Sequence, residues 1–412
     1  MITIAPFKAL RPQAQFAKQV AARPYDVLNT KEAKAEAAGN SFSFLHITKS
    51  EIDLPEDTDI HSEEVYAKAK ENLDAFLQRD VLFMENKSCY YVYELIMNGR
   101  AQTGLVCVSS IKDYEKGLIK KHEFTRPEKE QDRIRHIQIT GAQTGNVFLA
   151  YRAVDKVDAL IDQWKREKSP VYDFIAEDEI QHRIWVVNDD QIIATITECF
   201  KTLVPATYIA DGHHRAASAA KVHAAMEQKA TLASRYFLTT LFPSNQLAIM
   251  DYNRVVKDLN GLTESAFLGK IAVDFEVALI GNKPVKPNAP HQFGMYLSGN
   301  WYQLEAKPGT YTNDATGVLD VTILQNNILN KVLGIEDPRT DKRIDFIGGI
   351  RGLEALSSRV DSGDMQVAFS LFPVSMDQLF DIADAGNVMP PKSTWFEPKL
   401  RDGLLTHLIN NG

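Results

Sequence analysis

Pro205-Ala-Thr-Tyr-Ile-Ala-Asp211-Gly212-His213-His214-Arg215-Ala-Ala-Ser-Ala-Ala-Lys221 is the stretch from which the rest of the chain is best read. Thr207, Tyr208 and Ile209 favour a strand, the alanines after Arg215 favour a helix, and Asp-Gly between them marks a sharp turn. A helix that starts directly from such a turn leaves several backbone amides unpaired and pointing one way. With no side chain at Gly212 and a guanidinium at Arg215, that terminus is a receptor for a phosphate or a carboxylate. His213 and His214 can exchange protons near neutral pH, and Asp211 can orient an imidazole or act as a base. A plainer role also fits, with Asp211 capping the helix, Gly212 serving the turn and the histidines solvated. Adjacent histidines lack the i, i+4 spacing of helical zinc ligands, and no cysteine cluster accompanies them.

Upstream, Lys121-His122-Glu123-Phe-Thr125-Arg126-Pro127-Glu128 opens a highly charged helix running to about Gln138. Thr125 and Glu128 have the spacing of a capping box. Lys129, Glu130 and Gln131 read as a solvated face. His122, Glu123 and Arg126 lie in the loop and first turn, where an arginine adds to the helix-end field and a carboxylate can hold a metal ion or position water. Arg23, Tyr25 and Asp26 sit on a loop ordered by Pro24, as binding residues often do, although a rigid connector would look the same. Asn29 or Thr30 can cap a helix over 31–38 that leaves through Gly39, and Ser62 can cap another running to Arg79. Asn98-Gly99 between two apolar runs predicts a hairpin. Helices are expected at Val154–Glu167 and Asp190–Leu203, with a strand at Arg183–Val187 between them.

Beyond about residue 230 the pattern becomes richer in strands: Tyr236–Phe242, Leu247–Tyr252, Ile271–Leu279, a hairpin across Ser298-Gly299-Asn300, and Gln366–Phe372. Helices are expected at Val321–Leu333 and Met376–Ala385. Asn253 and Arg254 follow a strand end and can reach a ligand or form a surface ion pair. Lys392, Ser393 and Thr394 resemble a small anion-binding turn after Pro390-Pro391. The class is α+β (mixed α/β), in two regions, 1–230 carrying the motifs above and 231–412 rich in strands, or one integrated unit. Neither common glycine-rich phosphate loop precedes a helix.

The 412 residues allow two or three domains, and a hydrophobic share of 44% is ordinary for a folded protein. Forty-six basic against 54 acidic residues leave a net charge of -8, which disfavours general nucleic-acid binding. Cys89, Cys107 and Cys199 are widely spaced and support neither a disulfide framework nor a zinc ribbon. No leader pattern and no run long enough to span a membrane is apparent, so a cytoplasmic protein is expected. The sequence leaves a homo-oligomer open.

Ala5-Pro-Phe-Lys-Ala-Leu-Arg-Pro12, Arg23-Pro-Tyr-Asp-Val27, the segment His122–Ile137, Ala210-Asp-Gly-His-His-Arg215 and the tail Met389–Lys399 together resemble the bacterial and archaeal domain-of-unknown-function family 1015 (DUF1015). The resemblance spans nearly the whole chain, with Arg23 where the family often has a proline. The Asp-Gly-His-His-Arg turn also resembles the site of the ParB/sulfiredoxin-like superfamily, which includes free-serine kinases. That resemblance implies an element of this kind embedded in a larger α/β protein, with phosphate handled at Asp211–Arg215. The family resemblance further implies a link to serine biosynthesis, and hence a phosphoserine phosphatase. In that reading Gly212, Arg126 and Arg215 hold phosphoryl oxygens, with His122 beside them. His213 or His214 attacks phosphorus or shuttles a proton, oriented by Asp211, while Glu123 positions water or a divalent ion. Arg23, Tyr25 and Asp26 take the substrate's carboxylate and ammonium, and replacing His214 or Arg215 by alanine is expected to leave folding intact. Mg2+ is admitted as a cofactor. A nucleotide belongs only to the alternative of a free-serine kinase, and a non-catalytic ligand- or nucleic-acid-binding protein is the alternative of another class.

Overall fold

The computed structural model describes residues 1–410 and is of mixed α and β class. It divides into two compact units, 1–247 with 398–412, and 248–397. The division falls after Leu247 rather than near 230 because Tyr236–Pro243 is an interior strand of the first unit's sheet, paired on both sides.

That sheet runs in the order Ile119–Lys120, Thr207–Asp211, Val147–Tyr151, Tyr236–Pro243, Arg100–Ser110, Tyr90–Met97, Gln181–Val187, Tyr172–Ile175, with Ile4–Ala5 added against Arg100–Ser110. Two pairings are parallel, Thr207–Asp211 with Ile119–Lys120 and Tyr236–Pro243 with Val147–Tyr151. The hairpin at Asn98-Gly99 forms as expected, with φ of 52° and 78°, the left-handed backbone that asparagine and glycine tolerate. Against the sheet packs a core of Val92, Leu105, Leu149, Trp185, Phe200, Ile209, Phe237 and the small residues Ala216, Ala217 and Ala219. Those alanines explain the composition of the helix His213–Met226: without bulky side chains its backbone lies close to the strands. A second cluster, including Leu10, Phe44, Leu45, Leu73 and Phe76, gathers the helices of the first hundred residues. Thr30–Ala37 is capped by Asn29 in a full capping box with Glu32.

Two expected caps are absent. Ser62 precedes Glu63–Gln78 without a side-chain cap bond. At Pro127–Thr140 the N-cap residue is Arg126, and the Thr125 hydroxyl donates to the Glu130 carboxylate instead of closing a box with Glu128. Glu130 is therefore not on a solvated face. It is buried, and its second oxygen accepts from the Lys221 ammonium on the facing helix. A buried carboxylate persists only when paired in this way.

The second unit is a six-stranded antiparallel sheet in the order Phe275–Gly281, Asn300–Ala306, Gln292–Leu297, Val367–Leu371, Tyr252–Val256, Ile344–Gly348. The strand expected from Ile271 begins only at Phe275. The residues before it complete a helix, Glu264–Asp274, capped by Thr263 and burying Phe267, Ile271 and Asp274 on one face. The run Leu247–Tyr252 splits into Ile249–Met250 and the start of Tyr252–Val256. The helix expected over Val321–Leu333 is α-helical only at Asp320–Leu324 and continues as a π-helical turn, Gln325–Asn330. No helix among the described residues is long and apolar enough to cross a membrane.

Candidate active site at the Asp211-Gly212 turn

The strand Thr207–Asp211 carries a register shift before Asp211, and Gly212 follows at φ 97°, turning the chain into the helix His213–Met226. Glycine is required twice over at this bend. L-residues rarely adopt that backbone, and a Cβ would stand 3.3 Å from Val147 Cα and 3.4 Å from an Arg215 guanidinium nitrogen. The first helical ladder bond runs from Ala216 N–H to Gly212 C=O, at 3.0 Å. The amides of His213, His214 and Arg215 precede it at the positive end of the helix.

Asp211 accepts a charged hydrogen bond from Lys399 Nζ at 3.0 Å. Burial works to raise its pKa, but Lys399 and then Arg215 outweigh it and hold the carboxyl well below the usual carboxylate range. Lys399 reaches the turn on the segment that returns to the first unit after Glu397.

The two histidines are tied to the 122–126 loop. His213 is buried, its Nε2 accepting from the His122 amide at 3.5 Å and its Nδ1 lying 3.8 Å from a Glu123 carboxylate oxygen. His214 is only half-buried, and its Nε2 accepts from the Arg126 amide at 3.0 Å. A ring nitrogen that accepts an amide carries no proton, so each neutral imidazole holds its proton on Nδ1. Burial, then the neighbouring His122, keeps the His213 pKa far below its ordinary value. His214 is lowered too, chiefly by burial. Both rings are thus neutral near pH 7.

His122 does not reach outward from the loop as its sequence position suggests. It is 1% exposed, packed edge-on against His213 with ring centroids 4.6 Å apart, and both of its ring nitrogens are without hydrogen-bond partners. Burial pushes its pKa down to about 4. Arg126, by contrast, is exposed at the mouth of the turn.

Arg215 faces inward and is buried. It donates to Asp26 Oδ2 at 2.9 Å and to the Asn146 carbonyl, and it lies 5.7 Å from the Tyr25 ring centroid. Burial opposes its charge, but Asp26 and Asp211 raise its pKa above the ordinary arginine value. Tyr25, raised to about 12 chiefly by burial, packs its ring against Arg133 at 3.9 Å. Two of the three loop residues predicted for binding therefore meet the turn, and the third does not. Arg23 is exposed and paired with Glu36 at 2.5 Å instead.

Around Arg215 lies a cavity of about 30 Å³, lined by Tyr25, Arg133, Thr144, Gly145, Arg215 and Phe237 among others. That is room for one water-sized group. Beside it Asp402 is 2% exposed, with one carboxylate oxygen unpartnered, and burial pushes its carboxyl up to about 7 against the pull of Arg215. Asp402, Asn146, Arg133 and Lys399 escaped the sequence reading. Lys399 and Arg133 had a signal there, as members of the tail motif and of the segment His122–Ile137.

The remaining predicted residues belong to the second unit and are engaged within it. Asn253 is fully buried, accepting from the Leu371 amide at 3.1 Å and donating to Asp251 at 2.6 Å. Arg254, buried too, donates to the carbonyls of Tyr252 and Lys392, so it forms no surface ion pair. The turn at Lys392, Ser393 and Thr394 is closed by its own bonds, Ser393 Oγ donating to Pro390 C=O, rather than opened toward an anion. Among the described residues no three His, Cys, Asp or Glu side chains converge as a metal site.

The model of a family described as "Protein of unknown function (DUF1015)" matches residues 4–322. No curated protein matches the chain. Solved structures similar to it include a conserved hypothetical protein from Pyrococcus furiosus, 13% identical, covering 73% of this chain and 93% of that one at a TM-score of 0.34. A free serine kinase in complex with AMP is 12% identical, covering 72% and 91% at 0.35. SbnI with a C-terminal truncation, from Staphylococcus aureus, is 10% identical, covering 72% and 85% at 0.37.

Proposed function

The chain belongs to the DUF1015 family, and from the geometry of its Asp211-Gly212 turn we propose that it is a phosphoryl-transfer enzyme acting on a small amino acid, with phosphoserine and serine as the substrate pair. One observation carries the reading: a carboxylate paired with Lys399 stands at the start of a helix whose first three amides follow a glycine bend at φ 97°. The serine-sized substrate follows from the family resemblance.

Phosphoryl transfer asks a protein mainly for positioning and charge stabilisation. The amides of His213, His214 and Arg215 take the phosphoryl oxygens, joined by the exposed Arg126. The Nδ1–H groups of His213 and His214 donate to the same oxygens without adding charge. Because both Nε2 atoms are occupied by loop amides, donation fits these rings better than attack on phosphorus. An acid held so far below its usual range is a weak base, so Asp211 orients the attacking hydroxyl rather than stripping its proton. In hydrolysis the bond from phosphorus to the serine oxygen breaks as the bond to water forms, and the proton lost by water ends on the serine oxygen. Asp26, bonded to Arg215 but partly open, suits the substrate ammonium. The residues do not form a resident metal site. A Mg2+ ion would arrive with phosphates, a mode that needs only one or two protein carboxylates, here Asp211 or Glu123.

A phosphate-release screen over phosphorylated metabolites tests the reading, with and without nucleotide. Phosphate freed from phosphoserine alone gives the hydrolase, and turnover strictly dependent on ADP or ATP gives the kinase. No transfer from any phosphorylated amino acid under either condition would overturn the proposal.

A further inference from the structure

The second unit holds a cavity of about 290 Å³ that the turn chemistry does not use, lined by Thr310, Thr312, Thr316, Thr322, Tyr311 and Asn326 among others. One wall is the loop 310–317, wound around Asp314, whose carboxylate accepts from the Thr312 hydroxyl and from the amides of Thr316 and Gly317 at 3.0 and 2.9 Å. Gly317 is needed there, since a Cβ would overlap the Thr312 side chain. The opposite wall is the helix Asp320–Leu324 and the π-helical turn Gln325–Asn330, a local widening that recurs at functional sites. Asn327 ties the walls together by donating to Thr310 C=O at 3.0 Å, and Tyr311 is anchored to His291 Nδ1 at 3.0 Å. The cavity is therefore preformed.

Its chemistry is narrow. No lysine or arginine lines it, so nothing there would neutralise a phosphate. Its single carboxylate, Asp314, is already taken up by its own loop, and no metal-holding group of side chains occurs among the described residues. What remains is hydroxyls and carboxamides interspersed with threonine methyls and Ile323. The carboxamide of Asn326 is exposed on this wall and enters no side-chain hydrogen bond among the described residues, so it stands ready for a ligand. The size approaches that of ordinary small-molecule pockets.

We propose that this cavity binds an uncharged, hydroxyl-rich small molecule of about monosaccharide size, with Asn326 and Thr316 among its hydrogen-bonding partners. The site is independent of the turn at Asp211 and does not need the phosphoryl-transfer reading. Saturation-transfer NMR on the full chain tests it with ribose, glucose and myo-inositol as probes, and phosphorus-31 line broadening reads inorganic phosphate as the anionic control. Saturable binding of at least one polyol, weakened about threefold to tenfold by Asn326→Ala, as loss of one hydrogen bond implies, and no binding of phosphate in the cavity, is expected. Thr316→Val, at a second lining side chain, keeps the test open if Asn326→Ala does not fold. Absence of saturable binding for all three polyols, or binding unchanged in every variant that folds, or phosphate seated among these residues, overturns the proposal.

Discussion

Replacing Lys399 by methionine removes the ammonium 3.0 Å from Asp211 while keeping most of the apolar stem. Two unit charges at that distance attract by about 5 kcal/mol at an effective dielectric of about 20. Both side chains stay partly wet, at 19% and 28% exposure, so screening and the entropy of ordering the lysine leave about 1–3 kcal/mol. At about 1.4 kcal/mol per pH unit, the variant's Asp211 pKa should rise by about one to two units. The sign follows from the depressed folded-state pKa. The pair's contribution is present above the ordinary aspartate value of about 3.9 and is lost as pH falls through the lower folded value. Wild type should therefore exceed the variant in stability near neutrality, with the gap narrowing in acid. Denaturant unfolding of both proteins across that range measures the gap, and carbon-13 titration of the Asp211 carboxyl reports the pKa directly. A gap that holds constant or widens in acid, or an unmoved carboxyl titration, would refute the assignment of Lys399 as the group that keeps Asp211 charged.

Arg215→Met should cost about 1–3 kcal/mol, because it removes the ion pair to the partly exposed Asp26 and takes a donor from the Asn146 carbonyl, and calorimetry should show a melting midpoint lower by roughly 5 °C. That outcome would correct the expectation that this position can be changed without harm to folding. His214→Ala removes one hydrogen bond from a half-buried ring. It should shift stability by about 1 kcal/mol while lowering phosphoryl transfer about a hundredfold or more; equal loss of both would make the ring structural. Asp402→Asn tests the carboxyl raised to about 7. In the native protein this group retains its proton between about pH 4 and pH 7 where the unfolded chain has lost it, so its contribution to stability falls as pH rises across that window. The asparagine variant should lack that slope in pH-dependent melts. Gly212→Ala should cost about 1–3 kcal/mol from its backbone angle alone, and an unchanged melting midpoint would argue against the positive φ.

What was legible in the sequence is what a few neighbouring residues decide. Asn98-Gly99, the helix cap at Asn29 or Thr30, which the structure gives to Asn29, and the strand-turn-helix at Asp211-Gly212 each carry their own physical reason within about four positions, and each formed where it was read. The misread elements are those where two periods compete. Phe267, Ile271 and Asp274 share a helical face, yet the apolar residues from Ile271 onward run into a strand, and the Thr263 cap was the signal that separates the two. A π-helical turn has no sequence signature of the same kind, which is why the helix from Asp320 was drawn too long and too regular.

The charges of the site were misread for a different reason: their partners are remote. Glu130 looks solvated beside Lys129 and Gln131 and becomes interior only because Lys221, 91 positions away, meets it across two packed helices. The partner of Asp211 is 188 positions away, and the partner of Arg215 is 189. Local sequence thus names the groups at the turn without fixing their ionisation, and ionisation decides what they can do. Asp211 is held so far below the usual carboxylate range because the chain returns with Lys399 to stand beside it together with Arg215. His213 is a neutral donor because the 122–126 loop both buries it and occupies its Nε2. A homologous turn lacking either partner would keep the same five letters with a less firmly held, more basic carboxylate or a ring whose Nε2 is free, and its chemistry would differ accordingly.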